Sequence, residues 1–396
     1  MVKTVVFITK SLCYHQVYLA DSLYKIYGDN FVFIQTREPL DFRVAAHQEG
    51  FERPYLRGLA KSEEDKKASI ECLKNADVII MGEVPHKVFS CFNKKALLLR
   101  YSERIYKNDL HHYSFLQKVK LWGRYKIEKL FPRCKNQYLL STGAYTPLDF
   151  SKFKLFRNKC FKWGYFPIFE KYDFNELTKK KDLNSKLNIV WCSRLIRYKH
   201  PEVAIDVANF LQSQGIDFEM HIIGDGDKKS GELKELIYKK LINSHLEKSV
   251  IMHGKVPAEE VKKYYEKAHL ALFTSSFSEG WGVGVNEAMN AGCVVFCAHS
   301  IGCAKYLIQH NKNGLIYEFG NNSQLFNLLL EIINKKTVMK EISHNAYKTI
   351  MDEWNYEIAA VRLSKLIQCL LDGETTPFLS GPCSRATIIS EDYDVK

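Results

Sequence analysis

The stretch from Ser275 to Val295, SSFSEGWGVGVNEAMNAGCVV, holds two carboxylates separated by seven residues, Glu279 and Glu287, with Gly280, Gly282 and Gly284 between them. Glycine disfavours a helix and lets backbone approach a ligand closely. Three alternating glycines therefore leave Glu279 in a loop and delay the helix to about Val283. Glu287 then falls within the first turns of that helix. The N–H groups near Val283–Val285 present free donors and a positive dipole, a seat suited to a diphosphate. A carboxylate in that helix suits a ribose diol, whose two hydroxyls donate where a carboxylate accepts. A glycine-rich turn with two solvated glutamates has the same composition, so this stretch alone does not decide its use.

A second element is Ser193-Arg194-Leu195-Ile196-Arg197-Tyr198-Lys199, directly after the strand-like run LNIVWCS. Arg194 and Lys199 leave the carboxyl end of that strand. Arg binds phosphate as a planar fork and Lys as a point charge, so the pair can hold a diphosphate and neutralise it as it leaves. A solvated basic turn would read the same in isolation. Both elements falling on one sheet edge is what points to a site.

The elements that must position them follow an α/β pattern. Short apolar runs without alternation suit parallel strands buried on both faces. In the second half these are 187–193, 218–224, 250–254, 270–276 and 293–298, alternating with helical stretches near 201–214, 231–244, 258–267 and 284–291; later helices are predicted at about 323–334 and 339–370. In the first half the runs are TVVFIT (4–9), FVFIQT (31–36), DVIIMG (77–82), ALLLRYS (96–102) and QYLLST (137–142). The spacing predicts two doubly wound parallel-sheet domains, 1–170 and 187–355, joined by a polar linker at 171–186. A closing helix at 356–372 and a loosely held tail at 373–396 follow. Open α/β sheets bind ligands at the carboxyl ends of their strands, so two facing sheets imply a central cleft with one substrate on each side.

Arg194–Lys199, Ile223-Gly224-Asp225-Gly226 and Glu279–Gly292 (EGWGVGVNEAMNAG) together resemble the nucleotide-sugar glycosyltransferases of family 4. That family carries a strand followed by R-L-x-x-x-K, a strand–Gly-Asp-Gly turn, then E-G-[FW]-G-x-x-x-x-E-A-x-A-x-G, in the same order and spacing over about 187–335. The resemblance implies the GT-B fold of two Rossmann-like domains. It further implies that Arg194 and Lys199 contact the donor diphosphate, that Glu287 binds the ribose hydroxyls and that Glu279 contacts hydroxyls of the transferred sugar. Gly280, Trp281, Gly282 and Val283 would give backbone contacts to sugar and phosphate, with Trp281 and Val283 lining the sugar pocket. The implied reaction is sugar transfer from a nucleotide diphosphate sugar to a hydroxyl acceptor with retention, without a metal or other cofactor. The implied setting is surface polysaccharide or glycolipid synthesis on a glycan or lipid-linked acceptor.

The first domain departs from the family pattern. The usual Gly-Gly loop after the first strand is replaced by Thr9-Lys10-Ser11-Leu12-Cys13-Tyr14-His15-Gln16. Many relatives end a later strand in a His; here ALLLRYS ends in Ser102-Glu103. The acceptor-side candidates are His15, Ser102 and Glu103, with His111-His112 a weaker one at a helix start. Asp225-Gly226-Asp227 has the form of a D-x-D metal motif, but a tight turn after a strand accounts for it more simply. Asp392-Tyr393-Asp394 lies in the tail and carries less weight.

Of 396 residues, 46% are hydrophobic and 26% charged, which excludes a disordered chain, a collagen or a coiled coil. No apolar run approaches the roughly 18–20 residues of a membrane-spanning helix, and MVKTVVFITK lacks a signal-peptide pattern, so a cytosolic protein is expected. The eleven cysteines include no CxxC pair, and Cys293, Cys297 and Cys303 read as buried reduced thiols. The net charge of +12 is uneven. Between Lys118 and Lys162 twelve Lys/Arg face only Glu128 and Asp149, a local net of 12 − 2 = +10. Apolar residues interleave with cations in Lys118–Lys135 and again in Ser151–Lys162, the style of a basic amphipathic helix that meets an anionic membrane. Nucleic acid is not the expected partner, as no recognised motif accompanies the charge. The expected place is the cytoplasm, with peripheral contact at the inner face of the plasma membrane. Two other readings stay open: another GT-B enzyme (a sugar-nucleotide epimerase or an inverting transferase), or a non-enzymatic basic protein that binds membrane or nucleic acid.

Overall fold

The computed structural model describes residues 4–37, 52–106, 114–130, 134–182, 185–226 and 230–394. The chain divides into two compact units, Met1–Ile168 with Glu353–Ser390, and Phe169–Asp352 with Glu391–Lys396.

The first unit runs β1 (Val5–Thr9), α1 (Tyr14–Tyr27), β2 (Phe31–Gln35), β3 (Leu56–Gly58), α2 (Glu63–Asn75), β4 (Val78–Met81), β5 (Leu97–Glu103), α3 (Phe115–Leu130), β6 (Gln137–Thr142), α4 (Thr146–Ser151) and β7 (Cys160–Trp163). Its seven strands are parallel in the order β3-β2-β1-β4-β5-β6-β7. Strand β1 is buried along its whole length, which is why VVFIT carries no polar alternation. Helix α2 starts where Ser62 Oγ accepts the Asp65 N–H, three acidic residues filling its first turn.

The second unit runs α5 (Phe174–Lys179), β8 (Leu187–Cys192), α6 (Glu202–Ser213), β9 (Phe218–Ile223), α7 (Gly231–Asn243), β10 (Val250–Gly254), α8 (Ala258–Lys267), β11 (Leu270–Phe273), α9 (Val283–Asn290), β12 (Val294–Ala298), α10 (Ala304–Leu307), β13 (Leu315–Tyr317), α11 (Asn322–Ile333) and α12 (Lys336–Asp352). Its six strands are parallel in the order β10-β9-β8-β11-β12-β13. Helix α13 (Tyr356–Leu371) returns to the first unit and packs on α1, where Tyr18 stacks on Tyr356 at 5.4 Å and the Tyr27 hydroxyl donates to Ser364 Oγ at 3.0 Å.

Three readings of the sequence change. The stretch 171–186 is not a free linker. It carries α5, whose Phe174 stacks on Tyr347 at 5.4 Å and whose Leu177 is buried. Lys181 is buried and donates to the Tyr265 carbonyl at 2.7 Å and to that of Ala268. Two apolar anchors and one buried lysine are too sparse to register as a hydrophobic run. The tail expected to be loose from 373 on is likewise docked, at 383–386. Lys162 N donates to Ser384 O at 2.8 Å, Cys383 N to Lys162 O at 2.8 Å and Ala386 N to Cys160 O at 3.0 Å, so the tail covers the outer edge of β7. Finally, Ser151–Lys162 is not a second basic amphipathic helix. It forms turns and then β7, with Phe153, Leu155, Cys160 and Phe161 buried.

Cys383 is fully buried in the docked tail. Replacing it with Asp would bury a charge and is expected to destabilise the chain by about 2–4 kcal/mol. Urea unfolding checks this; a change below about 0.5 kcal/mol, within the range of a surface substitution, would show that the tail contributes nothing.

Candidate active site

In the second sheet β8 lies beside β11, although two strands intervene in sequence. The strand order reverses there, and such a switch point opens a crevice at the carboxyl ends of the two strands. The loops entering that crevice are the two singled out from sequence, Ser193–Lys199 after β8 and the loop after β11 that carries Glu279. They are stitched together. Ser276 N donates to Tyr198 O at 2.9 Å, Thr274 Oγ1 to Lys199 O at 2.6 Å, and the buried Trp191 Nε1 to Thr274 Oγ1 at 2.8 Å. The turn after β9 presses on the same loop, with Leu195 N donating to Asp225 O at 3.1 Å. Gly224 there has φ of 128°, and a Cβ at that position would stand 1.8 Å from the Ser193 carbonyl oxygen. Only glycine fits.

Within this frame Lys199 Nζ forms an ion pair with Glu279 Oε2, and Ser275 Oγ donates to the same oxygen at 3.3 Å. The two side chains are only 13% and 15% exposed, so the pair is screened less than a surface one. Arg194 leaves the same loop into solvent and donates to the Tyr198 hydroxyl at 3.0 Å. Helix α9 begins at Gly282, which has φ of 92° and lies where a Cβ would come within 2.7 Å of Ile301 Cγ2. The loop through Glu279 and Gly280 therefore turns directly into the helix, with Val283 as its first residue. The Trp281 side chain does not line a sugar pocket. It is fully buried, its Nε1 donating to Asn286 Oδ1 at 2.9 Å, and it anchors the turn to the helix; only its backbone remains to meet a ligand.

Glu287 sits one turn into α9. Burial pushes its carboxyl up to about 7. Its charge is felt by the Cys192 thiol at the end of β8, as is the opposite charge of Lys199, and by the Tyr265 hydroxyl. Lys199, Glu279 and Glu287 thus converge on the end of β8, with Arg194 on the same loop and more exposed. The chemistry available is a cationic pair, a row of helix N–H groups and two carboxylates in different states: one ion-paired, the other reluctant to ionise.

In the first unit the reversal falls between β1 and β4, and Lys10 Nζ bridges it to Glu83 at 2.6 Å. His15 is in the first turn of α1, its ring 5.1 Å from that of Tyr165. The Tyr165 hydroxyl donates to Glu103. His15 and Glu103 are therefore brought together through Tyr165, and burial together with the Tyr101 and Glu103 charges raises the Tyr165 hydroxyl well above its ordinary value. Ser102 is turned away, its Oγ donating to the Glu103 carbonyl at 2.8 Å. Sequence reasoning missed Tyr165 and Glu83, which belong to no motif; each follows a strand end, the one signal that marked them. His111, His112 and Asp227 lie outside the described residues. Asp225 accepts from its own turn at Gly226 N (2.8 Å) and pairs with Lys234 (2.9 Å), so it is engaged as a turn residue. No cluster of three His, Cys, Asp or Glu side chains suited to a metal occurs among the described residues.

Glu287 gives a pH signature. An ordinary Glu titrates near 4.5, and here the folded chain holds the proton to about 7. Between those values the folded state binds more protons than the unfolded one, so stability falls as pH rises through this window. Glu287→Gln removes that slope. Urea unfolding at pH 5 and pH 8 should show the Gln variant gaining about 1–2 kcal/mol on the native chain at the higher pH, a figure reduced for partial exposure. An unchanged difference would place Glu287 in water.

Residues 173–349 match the family model described as Glycosyl transferases group 1. Among curated proteins, the amylovoran biosynthesis glycosyltransferase AmsK of Erwinia amylovora is 31% identical over 193 residues, 48% of this chain and 46% of that protein. The poly(ribitol-phosphate) alpha-N-acetylglucosaminyltransferase of Staphylococcus aureus is 26% identical over 165 residues, 42% of this chain and 32% of that protein. The alignments thus span half or less of those relatives. Among solved structures, Anabaena HepE in complex with UDP superposes with a TM-score of 0.65 at 15% identity, covering 93% of this chain and 100% of that one. A glycosyltransferase from Rickettsia africae gives 0.66 at 14% identity, covering 94% and 100%. At these identities the structures establish the architecture, two parallel-sheet α/β domains of the GT-B kind. The second unit of this chain is a glycosyl transferases group 1 domain, set within a GT-B fold.

Proposed function

We propose that the protein is a retaining glycosyltransferase that moves a sugar from a nucleotide diphosphate sugar to a hydroxyl acceptor in surface polysaccharide or glycolipid synthesis. The observation that carries this reading is the Lys199–Glu279 pair at the switch point, directly before the N-terminus of α9. Lys199 and Arg194 would neutralise the donor diphosphate, with the first N–H groups of α9 completing the cradle. Glu279, released from Lys199 as phosphate arrives, would accept from hydroxyls of the transferred sugar, and Glu287 from the ribose. In the transfer the bond between the anomeric carbon and the phosphate oxygen breaks, and a bond from that carbon to the acceptor oxygen forms on the same face. The acceptor proton passes to the leaving phosphate oxygen. The residues then act by positioning and by stabilising departing charge, with no metal called for. His15, Tyr165 and Glu103 form the acceptor-side cluster. UDP is the donor nucleotide to try first, since HepE was solved with UDP and with UDP-glucose.

Glu279→Ala and Arg194→Ala are expected to lower transfer by about 10²-fold or more while leaving the unfolding midpoint in place. Unchanged turnover in both removes the site assignment. NMR of the product anomer distinguishes retention from inversion. A thermal-shift screen across UDP-, GDP-, ADP- and dTDP-sugars should show one base raising the midpoint selectively; no shift with any would favour a non-enzymatic reading.

We place the acceptor or its carrier at a membrane surface. No helix among the described residues is long and apolar enough to cross a membrane. Helix α3, however, exposes Phe115 (79%), Leu116, Val119, Trp122 and Ile127, interleaved with Lys118, Lys120 and Arg124. Apolar side chains that insert and cations that meet anionic headgroups fit a peripheral contact at a cytoplasmic membrane face, and the apolar row distinguishes it from a nucleic-acid surface. The other four tryptophans, Trp163, Trp191, Trp281 and Trp354, are fully buried, so Trp122 reports this contact alone. Tryptophan emission should shift to the blue with anionic vesicles and not with zwitterionic ones, and Trp122→Ala should abolish the shift. No shift with anionic vesicles contradicts the contact.

A further inference from the structure

The first unit contains a cavity of about 310 Å³ that the reading above does not use. Its place is the amino edge of the sheet. Lys135 and Gln137 stand at the start of β6, Lys159 directly before β7, and Lys154 and Arg157 in the connection from α4 to β7. His15, Glu103 and Tyr165 lie at the opposite, carboxyl edge of the same parallel strands.

Five cations line this cavity, Arg100, Lys135, Lys154, Arg157 and Lys159, and among the described residues no carboxylate lines it. Arg100 is 8% exposed and reaches it from the middle of β5, its guanidinium 5.5 Å above the Phe150 ring. Concentrating charge of one sign in a concave, partly apolar site raises the local potential and draws in counter-ions. The acid closest in sequence, Asp149, is already committed: it pairs with Arg104 at 3.2 Å and accepts from Ile105 N at 2.8 Å and Tyr106 N at 2.9 Å.

The backbone points the same way. Lys154, Phe156 and Asn158 have φ of 56°, 50° and 56°, three left-handed residues without a glycine in a five-residue stretch. Asn tolerates this conformation, whereas Lys and Phe adopt it only where the surroundings impose it, and such strain gathers at functional sites. Here it brings Lys154, Phe156 and Arg157 to the cavity lining. The stretch is held from outside by Arg385 of the docked tail, whose Nη1 donates to the Asn158 carbonyl.

We propose that this cavity binds a compact polyphosphate, an anion with at least two phosphate groups. Two arginines and three lysines exceed what a single phosphate can use, and the volume admits a diphosphate with part of its ester. The same chemistry is offered by a free polyphosphate and by the diphosphate headgroup of a lipid.

The test is titration calorimetry of the full chain with inorganic tripolyphosphate. The native chain should bind one equivalent. Lys154→Glu with Arg157→Glu, both exposed, should weaken binding at least tenfold with the unfolding midpoint and sugar transfer unchanged. Lys154→Gln with Arg157→Gln gives the same reading should charge reversal disturb folding. Arg194→Ala should leave binding unchanged, which separates this cavity from the nucleotide site. No binding to the native chain, binding by the Glu and Gln variants as tight as by the native chain, or a loss confined to Arg194→Ala overturns the proposal. Sedimentation with phosphatidylcholine vesicles carrying a prenyl diphosphate distinguishes the source. Capture that tripolyphosphate reverses and Arg157→Glu abolishes assigns a headgroup, and calorimetric binding without such capture assigns a free anion.

Discussion

The ion pair between Lys199 and Glu279 depends on a fact of topology: β8 and β11 are hydrogen-bonded neighbours whose following loops open at the same edge. Every other feature of the second unit's site refers to it. Thr274 and Trp191 hold the Lys199 backbone from below, Gly224 lets the β9 turn press against Ser193, and Gly282 converts the Glu279 loop into a helix start without a gap. A salt bridge sheltered this far is weak evidence for stability, because desolvating both partners offsets much of their attraction. Its value lies in poise. Each partner is already stripped of most of its water, and in the proposed reaction Lys199 exchanges the carboxylate for a phosphate while Glu279 exchanges the ammonium for hydroxyl donors.

The first sheet repeats the device at its own reversal, with Lys10 and Glu83 spanning the ends of β1 and β4. There the side chains are far more exposed, and the helix that follows β1 starts at Tyr14 without a glycine-rich turn before it. Instead His15, Tyr165 and Glu103 form a chain of rings and hydrogen bonds. The two units therefore share an architecture and differ in chemistry: one is built around charge and a glycine-preceded helix start, the other around a histidine, a phenol and a carboxylate. That division is what the proposed transfer calls for, with one strongly anionic substrate and one hydroxylic substrate.

Much of this was legible in the sequence, for stated reasons. Long apolar strands such as VVFIT and CVVFCA announce themselves because burial on both faces forbids polar alternation. The Glu279–Gly292 stretch was legible because Gly280 and Gly282 hold off the helix until Val283. Strands β3 and β13, of three residues each, and β7, of four, were not legible, since so short a run carries no period. The tail and the stretch 171–186 looked loose because they dock through backbone hydrogen bonds and single anchors, Phe174 or Cys383, which leave no compositional trace. Tyr165 was invisible for a different reason: its role comes from where β7 ends, and β7 itself was not foreseen. Trp281, the most conspicuous residue of the motif, proved to be a structural anchor, which only its burial against Asn286 reveals.

The most direct test of the central claim is calorimetric titration of a nucleoside diphosphate, UDP first, into the native chain, Lys199→Ala and Glu279→Ala. If Lys199 is shared between Glu279 and a diphosphate, Lys199→Ala weakens nucleotide binding at least tenfold, while Glu279→Ala binds the bare nucleotide as tightly as the native chain or more tightly. Equal affinity in the native chain and Lys199→Ala would contradict the account.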